Sequence, residues 1–508
     1  MELFDAEWYL EQNPDVKKAV RNGLWASAYD HFKTCGRAEG RAPLDPAVAQ
    51  LLQQPNGTPL NVEELAASAE GTCLLIGWVD DRVDPIIEFA MQPYGGPQID
   101  LKQHIRRFRR PDVADIKRVR PESFDFGFWA AVQGPPATWP EASIRVRFAS
   151  NRVAELQLQT TTIGPIDLRD RILGLLASPR NRASRADGVD HGLTRVLAAL
   201  TRAVIKQAPA PALWRCGAHM AEPELSIIIS VPRDLENARR QIALLAMACD
   251  FGRIEIVFVS RSPASLDDFF AFVESVGELY GASTVAFAIG EDLNWARAHN
   301  DAARLAEGRT LLFLGSTIFP GDRDWLGRTL AVAAGMRDSD VVGACLLNED
   351  DSVRQCGIDF TVIDRRLRIW EARRRPVRPV WCAGIAHAVS AGTILVRRHF
   401  FVELGGFDED YIGDCSYEAY DFCFRAWVAE GAVKVDPRLI FYDLHAPAQL
   451  GDSVSSRTMP INRALYNDRW GDVLDLLADA GEILPTAAAP AFRAGPLGTA
   501  NTGSLELP

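Results

Sequence analysis

The sequence shows no pattern typical of export or of a membrane span. Its first residues, Met1 to Glu7, are acidic and lack the basic start and the apolar stretch of a secretory signal. Apolar runs such as Leu225 to Val231 and Leu311 to Leu314 are far shorter than the ~20 residues that a membrane helix needs. We therefore expect a cytoplasmic protein without a membrane span, for which peripheral association with a membrane stays open.

The sequence also has no excess of basic residues and no paired cysteines. Its net charge is -12 and its pI is about 5.3. Because binding a polyanion requires a basic face, this balance argues against nucleic acid as a partner. The 9 cysteines are scattered and odd in number, without a Cys-x-x-Cys motif. They indicate reduced thiols rather than a disulfide framework.

The sequence does have enough apolar residues for more than one core. Of its 508 residues, 47% are hydrophobic and 24% are charged, which is the usage of globular proteins. Single cores stop growing near ~250–300 residues, so we expect two globular domains and a small module. The predicted segments are a helical module at 1–50, a β-sandwich-like domain at 71–165, a helical connector at 166–222, an α/β domain at 223–458, and a C-terminal helix with a disordered tail at 459–508.

The predicted sandwich contains short alternating runs such as Leu74 to Val79, separated by Gly and Pro turns. Regularly spaced short strands of this kind are typical of a β-sandwich. Its tryptophans Trp78, Trp129 and Trp139 leave two interpretations open. They are either aromatic platforms of a carbohydrate-binding module or part of the core.

The predicted α/β domain begins with the pattern of a parallel sheet. Leu225 to Val231 is an apolar run of strand length, Ala238 to Ala248 is helical, and Ile254 to Val259 is a second apolar run. Ligands of such sheets bind beyond the carboxyl ends of the strands. Four residues at those ends are therefore predicted to lie near a bound nucleotide: Pro232, Arg233, Ser260 and Arg261.

The alternation of helix and strand continues along this domain. A strand at Thr310 to Leu314 follows a helix at Trp295 to Ala306. A strand at Val341 to Cys345 follows a helix at Trp325 to Ala334. The sequence therefore predicts an α/β fold with a doubly wound, mostly parallel sheet.

Three linked motifs follow in the second half of the domain, at Ala391 to Arg398, Leu404 to Glu409 and Tyr417 to Arg425. The second motif contains Gly405-Gly406-Phe407-Asp408-Glu409, and the third contains Glu418-Ala419-Tyr420-Asp421. Together with the α/β pattern, these motifs resemble the family 2 glycosyltransferases, and the resemblance implies the GT-A fold. The N-terminal module and the sandwich also resemble segments that precede such transferases in bacterial proteins.

The resemblance implies transfer of a sugar from a nucleotide-diphosphate sugar to a glycan or protein acceptor. It places Asn300 on a helix beside the nucleotide and His445 in a metal site near the diphosphate. The glycine pair Gly405-Gly406 would allow the backbone to approach a sugar closely. Acidic side chains next to that pair would accept hydrogen bonds from sugar hydroxyls, and these are Asp408 and Glu409.

Two carboxylates are candidates for the base that deprotonates an acceptor hydroxyl. Glu418 and Asp421 are three residues apart and share one face if they open a helix that runs through Arg425. The alternative interpretation is that they cap this helix and form an ion pair with Arg425. Both interpretations depend on the same predicted helix.

The sequence departs from the family at three usually acidic positions. Ser260 stands where the family holds the base with an aspartate, Gly315-Ser316-Thr317 replaces the acidic metal-binding motif, and Ala419 replaces the catalytic aspartate. The second change argues against the usual divalent cation, Mn or Mg, at the diphosphate. A metal-independent site would need arginine, which binds phosphate oxygens in pairs. The candidates are Arg233, Arg261, Arg297 and the run Arg365, Arg366, Arg368, Arg373, Arg374 and Arg375.

Two functions remain open from the sequence. The first is an inverting glycosyltransferase with Glu418 or Asp421 as base. The second is a catalytically degenerate family member that binds a nucleotide, a glycan or a partner glycosyltransferase in polysaccharide biosynthesis. The motifs from Ala391 to Arg425 favour the first, and the changes at Ser260 and Ala419 favour the second.

Overall fold

A computed structural model describes most of the chain, which divides into two compact units, Met1–Ala203 and Val204–Pro508. The described residues are 4, 6–43, 60–117, 124–134, 140–178, 191–217, 220, 222–247, 251–363, 366–371, 384–413, 417–444 and 454–479. Among the helices described, none combines the length and the apolar character that crossing a membrane requires.

The first unit begins with a small helical bundle. Its elements are α1 (Ala6–Gln12), α2 (Pro14–Arg21), α3 (Ala28–His31) and a π-helical turn (Phe32–Gly36). Tyr9 and Phe32 are buried at its centre, and the Tyr9 hydroxyl lies 3.0 Å from His31 Nδ1. Gly36 packs directly on this pair, because a Cβ there would lie 2.0 Å from the Tyr9 hydroxyl oxygen. His31 is therefore a packing residue of the bundle.

Two sheets of mostly antiparallel strands follow and share one core. The strands are β1 (Leu60–Ala67), β2 (Thr72–Val79), β3 (Ile86–Pro93), β4 (Ile99–Asp100), β5 (Arg106–Phe108), β6 (Gly127–Gln133), β7 (Glu141–Phe148), β8 (Val153–Gln159) and β9 (Thr161–Thr162), with a helix α4 at Pro111–Ile116. The sheet orders are β5-β6-β2-β1-β9 and β4-β3-β7-β8. Phe128 of the first sheet and Phe89 of the second stack edge to face at 5.3 Å between ring centroids. This is a sandwich-like arrangement.

Strand β1 lies before the predicted β-sandwich-like domain, which the sequence places at 71–165. Strand β1 begins at Leu60, and its pairing with β2 shifts register between Val62 and Glu64. This irregularity breaks the period-2 alternation by which a strand is recognised in a sequence. The predicted start of the sheets at residue 71 is therefore too late.

The two tryptophans of the sandwich that the structure describes pack against other side chains. Trp129 is fully buried with the Arg106 guanidinium 4.9 Å from its ring centroid. Trp78 packs against a small satellite core and beneath Lys117. Trp139 lies outside the described residues. The two described tryptophans therefore serve packing.

Helices α5 (Pro165–Ala177) and α6 (His191–Gln207) come next. The helices of the second unit are α7 (Glu236–Leu245), α8 (Leu266–Tyr280), α9 (Trp295–Leu305), α10 (Trp325–Gly335), α11 (Arg398–Glu403), α12 (Tyr417–Val428) and α13 (Val454–Asp479). Its strands are β10 (Ala212–Cys216), β11 (Leu225–Val231), β12 (Ile254–Arg261), β13 (Ser283–Ile289), β14 (Thr310–Leu314), β15 (Ile318–Pro320), β16 (Val341–Leu347), β17 (Val353–Gln355), β18 (Ile358–Ile363), β19 (Arg366–Glu371), β20 (Gly384–Ile385), β21 (Thr393–Arg397) and β22 (Val433–Asp443).

The second unit is built on one large mixed sheet in the order β10-β13-β12-β11-β14-β21-β16-β22-β15. The four strands β13, β12, β11 and β14 run parallel. Strand β21 is antiparallel to β14 and β16, whereas β22 is parallel to β16. The sheet is therefore an α/β sheet with a parallel centre, and antiparallel pairing occurs on both sides of that centre.

Helices cover both faces of this sheet. Ile227 and Ile229 point to one face and join a core with residues of α7, α8 and α10. Ser230 points to the other face, where its hydroxyl meets His299 of α9. Successive strand residues alternate between faces, so helices pack on both faces of the sheet, and the predicted α/β fold is confirmed.

One edge of the sheet collects the ends of six strands. Val231 of β11 is level with Ser260 of β12, and Leu314 of β14 is level with Thr393 of β21. On the far side, the ends of β16 and β22 are level with each other. We call this the carboxyl edge, because the parallel strands end there.

Candidate functional site

The carboxyl edge brings together the four residues predicted to lie near a nucleotide. Pro232 and Arg233 directly follow β11, and Ser260 and Arg261 end β12. Ser260 is fully buried, and its hydroxyl has no hydrogen-bond partner among the described residues. Arg261 donates to the carbonyl of Leu293 at 3.1 Å, whereas the Arg233 side chain is exposed.

A buried histidine lies beneath this edge. His299 Nδ1 lies 2.8 Å from the carbonyl of Trp295, and its Nε2 lies 2.8 Å from the hydroxyl of Ser230. A carbonyl only accepts, so Nδ1 carries the proton and the Ser230 hydroxyl donates to Nε2. Burial lowers the pKa of His299 to about 3, against a partly opposing effect of the Trp295 hydrogen bond. The imidazole is therefore neutral at physiological pH.

This pKa predicts an acid sensitivity of the fold. The folded pKa lies below the ordinary value of 6.5, so protonation favours the unfolded chain. Stabilisation is complete above pH 6.5 and is lost as the pH falls towards 3, by up to about 1.4 kcal/mol per pH unit. Urea unfolding followed by tryptophan fluorescence between pH 7 and about pH 4.5 measures this slope.

A histidine variant separates this effect from general acid denaturation. In His299→Gln the pH slope should become shallower, because glutamine does not titrate. The matched control is His399→Gln, which changes an exposed histidine of α11 and should keep the wild-type slope. Equal slopes in all three proteins would contradict the prediction.

The loop that replaces the acidic motif is held by a carboxylate from β22. The Thr317 hydroxyl donates to Asp443 Oδ1 at 2.8 Å, and the Leu444 N–H donates to the Thr317 carbonyl at 3.0 Å. Arg354 Nε lies 2.7 Å from Asp443 Oδ2. Gly315 accepts from the side chain of Gln241 at 2.8 Å. A carboxylate thus lies beside the loop, but it is already paired with a guanidinium.

These donors do not fit a divalent cation. Gly315, Ser316 and Thr317 offer hydroxyl and backbone oxygens without a carboxylate, whereas Mn or Mg in such a site is held by carboxylates. The described part of the chain contains no group of three His, Cys, Asp or Glu residues that could hold a metal ion. His445, the predicted metal ligand, lies outside the described residues.

Asn300 holds the loop that contains the glycine pair. Its amide nitrogen donates to the Phe407 carbonyl at 2.8 Å and to Glu409 Oε1 at 2.9 Å. Its amide oxygen accepts from the Phe407 N–H at 2.8 Å. Gly406 has φ +72°, and a Cβ there would lie 2.4 Å from Asn300 Oδ1. Asn300 therefore positions the Gly405–Glu409 loop, and its place beside the nucleotide stays a prediction.

Asn294 fastens the same loop from the start of α9. Its side chain caps the helix by accepting from the Arg297 N–H at 2.9 Å. The same side chain donates to the carbonyls of Glu409 and Tyr411, both at 2.7 Å. Arg297 also lies 3.5 Å from Glu409 Oε2. The loop is therefore fixed to α9 by two buried asparagines and one arginine.

The two predicted sugar ligands of this loop have protein partners in the structure. Glu409 contacts Asn300 and Arg297, and Asp408 is bonded to Arg469 of the C-terminal helix α13. Burial raises the pKa of Asp408, and the nearby Arg469 guanidinium partly offsets that effect. Any sugar contact by these carboxylates must therefore share them with arginine.

Asp421 accepts hydrogen bonds from several side chains. It is fully buried, and its Oδ2 accepts from Arg425 Nε at 2.7 Å. Its Oδ1 accepts from Trp470 Nε1 at 2.7 Å and from Arg469 at 3.2 Å. The Tyr411 hydroxyl lies a further 3.4 Å away. These contacts agree with the ion-pair interpretation of this residue.

Glu418 lies one turn earlier, in the first turn of α12. Its side chain is 2% exposed, and that of its neighbour Ala419 is fully buried. Of the two candidate bases, Asp421 is the one with both carboxylate oxygens bound, by arginine and indole N–H donors.

The sequence gives little indication of the part played by α13. Asn462 accepts from the Ile412 N–H at 3.0 Å and donates to its carbonyl at 2.8 Å. Together with Arg469 and Trp470, it ties α13 to the loop and to Asp421. The sequence shows Arg469 next to Trp470, but nothing local predicts their partners.

The comparisons with known proteins agree with the glycosyltransferase resemblance. A family described as "Glycosyltransferase like family 2" matches residues 250–451. The O-antigen biosynthesis protein RfbC of Myxococcus xanthus is 24% identical over 415 residues, which cover 78% of this chain and 29% of that protein. The chain thus matches less than a third of the length of this curated relative.

Several solved structures show partial similarity. GalNAc-T7 with UDP, GalNAc and Mn²⁺ shares 15% identity over 52% of each chain, with a TM-score of 0.40. TarS 1–349 of S. aureus with UDP-GlcNAc shares 15% identity over 44% of this chain and 60% of that chain, with a TM-score of 0.31. The mannosyltransferase PcManGT of Pyrobaculum calidifontis with GDP-Man and Mn²⁺ shares 11% identity over 63% and 88%, with a TM-score of 0.34.

The family match covers the strands β12 to β22, the Gly405–Glu409 loop and helix α12. These are the elements that form most of the carboxyl edge and carry both predicted bases. The chain therefore contains a family 2-like glycosyltransferase domain at residues 250–451.

Proposed function

We propose that the second unit is an inverting glycosyltransferase that moves a sugar from a nucleotide-diphosphate sugar to a glycan or protein acceptor in polysaccharide biosynthesis. The observation that carries the proposal is the family match at residues 250–451, on a sheet whose strand ends meet at one edge. The relative RfbC, an O-antigen biosynthesis protein, supports the polysaccharide context.

The donor nucleotide is assigned to the carboxyl edge. In open α/β sheets, ligands bind in the crevice beyond the strand ends, where Pro232 and Arg233 lie close to Ser260 and Arg261. The buried Ser260 hydroxyl, which has no hydrogen-bond partner among the described residues, supports this assignment. A group of this kind can bond to a polar ligand that replaces water.

The acceptor is assigned to the neighbouring Gly405–Glu409 loop. Gly405 is exposed with φ +83°, and nothing lies within 4 Å of a Cβ built there. The peptide backbone at this position is therefore open to a close approach by a sugar ring. Asn300 and Asn294 hold the loop rigid, which is what positioning an acceptor requires.

Glu418 is the better candidate for the base, because Asp421 is bound to Arg425, Arg469 and Trp470. In the proposed step, the acceptor oxygen attacks the anomeric carbon while its proton passes to the Glu418 carboxylate. The bond from the anomeric carbon to the diphosphate breaks, and its electron pair leaves with the nucleoside diphosphate. This displacement inverts the anomeric configuration.

A second function is favoured by one observation, the buried Ala419 in place of the family's catalytic aspartate. If Glu418 does not replace that aspartate, the domain binds a nucleotide, a glycan or a partner glycosyltransferase without turnover. The two functions differ in one measurable quantity, the release of nucleoside diphosphate from a donor.

The experiment titrates the full chain with UDP-, GDP- and TDP-sugars and then follows nucleoside diphosphate release with glycan acceptors. Glu418→Gln should leave donor affinity unchanged and lower release by roughly 10²–10⁴-fold, the usual contribution of a general base. Glu403→Gln, an exposed glutamate of α11, is the control. Binding without release supports the second function, and absence of binding to every donor excludes the enzyme.

A further inference from the structure

The loop Gly315–Thr317 lies against a built ion pair. Asp443 ends β22, level with Ile318 of β15, and accepts the Thr317 hydroxyl at 2.8 Å. Its second oxygen lies 2.7 Å from Arg354 Nε. The place where a metal-binding motif would follow β14 is therefore next to a positioned guanidinium.

The guanidinium is fixed at one side and open at the other. The Asp443 side chain is 12% exposed and the Arg354 side chain is 37% exposed. Strand β17, which carries Arg354, is paired to β16 and is thereby held near the end of β22. Among the described residues, the only further hydrogen bond of the guanidinium is a long one, 3.5 Å from Nη1 to Asn348. Its outer nitrogens are thus available to an anion.

A second observation points to a polar ligand at the same edge. Thr393, level with Leu314 at the start of the loop, is 1% exposed. Its hydroxyl has no hydrogen-bond partner among the described residues. Ser260 provides a second buried hydroxyl of this kind at the end of β12. Buried polar groups are normally satisfied, so a pair at one edge indicates a ligand that bonds to them.

We propose that Arg354, held in place by Asp443, binds the diphosphate of the donor in place of a divalent metal ion. The inference rests on the proposed function and adds the chemistry of its leaving group. The planar guanidinium can bond two phosphate oxygens at once. Because Asp443 offsets its charge, Arg354 acts through directed N–H donors. Two further arginines, Arg233 and Arg261, lie at the same edge of the sheet.

The paired Asp443 also explains why a metal ion does not fit. A divalent cation at the loop would have to take the Asp443 carboxylate away from Arg354 and would leave two like charges side by side. The loop itself offers no carboxylate in compensation. The guanidinium and the cation are therefore alternatives at this position.

The test measures the affinity of the full chain for UDP, GDP, TDP and inorganic pyrophosphate by titration calorimetry, in EDTA and in Mn²⁺. The wild-type protein should bind at least one nucleotide equally well in both. In Arg354→Ala the affinity should fall by roughly 10–100-fold, as expected for charge-assisted hydrogen bonds. Thermal melting establishes that each variant is folded.

Two further variants keep the result unambiguous. Arg354→Lys can retain the ion pair with Asp443 but lacks the planar fork, so its affinity should also fall, by about 3-fold or more. Arg438→Ala removes an arginine from a comparable pair with Asp436 on the same strand as Asp443 and should change nothing. Binding that requires Mn²⁺, or that is unaffected in Arg354→Ala, overturns this inference alone. Absence of nucleotide binding by the wild-type protein overturns the proposed function as well.

Discussion

Replacing Asp421 with alanine is expected to lower the free energy of unfolding of the second unit by about 3–5 kcal/mol. The carboxylate is fully buried and accepts from Arg425, Arg469 and Trp470. Its removal leaves two guanidinium groups without their buried counter-charge. Because Arg425 and Arg469 are 21% and 26% exposed, water can compensate in part, which favours the lower half of this range.

Urea unfolding followed by far-UV circular dichroism measures this loss. The matched control is Glu236→Ala, which breaks an exposed ion pair with Arg240 and should cost at most about 1 kcal/mol. Combining Asp421→Ala with Arg469→Met should cost less than the sum of the single changes, since both remove one interaction. Additive effects, or a loss as small as that of the control, would show that the carboxylate does not hold α13 to α12.

Replacing Gly406 with alanine is expected to destabilise the second unit by about 3 kcal/mol or more. The left-handed backbone at φ +72° costs an alanine roughly 1–2 kcal/mol. The new Cβ would also lie 2.4 Å from Asn300 Oδ1. Asn300 can move away only by giving up its buried hydrogen bonds to Phe407, which costs a further ~1–3 kcal/mol.

The neighbouring glycine provides the control for this prediction. Gly405 has φ +83°, but nothing lies within 4 Å of the place that a Cβ would take there. Gly405→Ala should therefore cost only the backbone strain of roughly 1–2 kcal/mol. The difference between the two variants in urea unfolding isolates the contact with Asn300. If the two losses are equal, Asn300 does not constrain the loop.

The parallel centre of the sheet could be predicted because its strands are nearly continuous apolar runs. Strand β11 has the predicted bounds, Leu225–Val231, and β14 has the predicted bounds, Thr310–Leu314. Strand β10 escapes prediction because Ala212–Cys216 has no alternation and no apolar run of strand length. It is defined by its antiparallel pairing with β13, which is a tertiary contact.

The C-terminal helix illustrates a different limit. The sequence predicts a C-terminal helix within 459–508, whereas α13 extends over Val454–Asp479 and contains Pro460. A proline inside a helix normally breaks or kinks it, so the sequence does not predict helix for the turn before Pro460. The helix extends past this proline, and its contacts through Asn462, Arg469 and Trp470 stabilise it.

The residue types of the candidate site could be predicted from the sequence, but the contacts between them could not. The sequence shows that Gly315, Ser316 and Thr317 lack the family's carboxylates. It cannot show that Asp443, 126 residues from Thr317, accepts its hydroxyl with Arg354 on the other side. Asn300 and Glu409 meet across 109 residues in the same way. Such pairings are set by the order of strands in the sheet.

The donor site at the carboxyl edge and the role of Arg354 together predict that this edge of the sheet binds the donor sugar without a divalent ion. Hydrogen-exchange mass spectrometry of the full chain in EDTA, with a saturating nucleotide sugar, tests it most directly. We expect slower exchange in the segments after β11, β12 and β14, at residues 231–233, 260–262 and 315–317. Protection confined to the first unit, or protection that appears only with Mn²⁺, would contradict it.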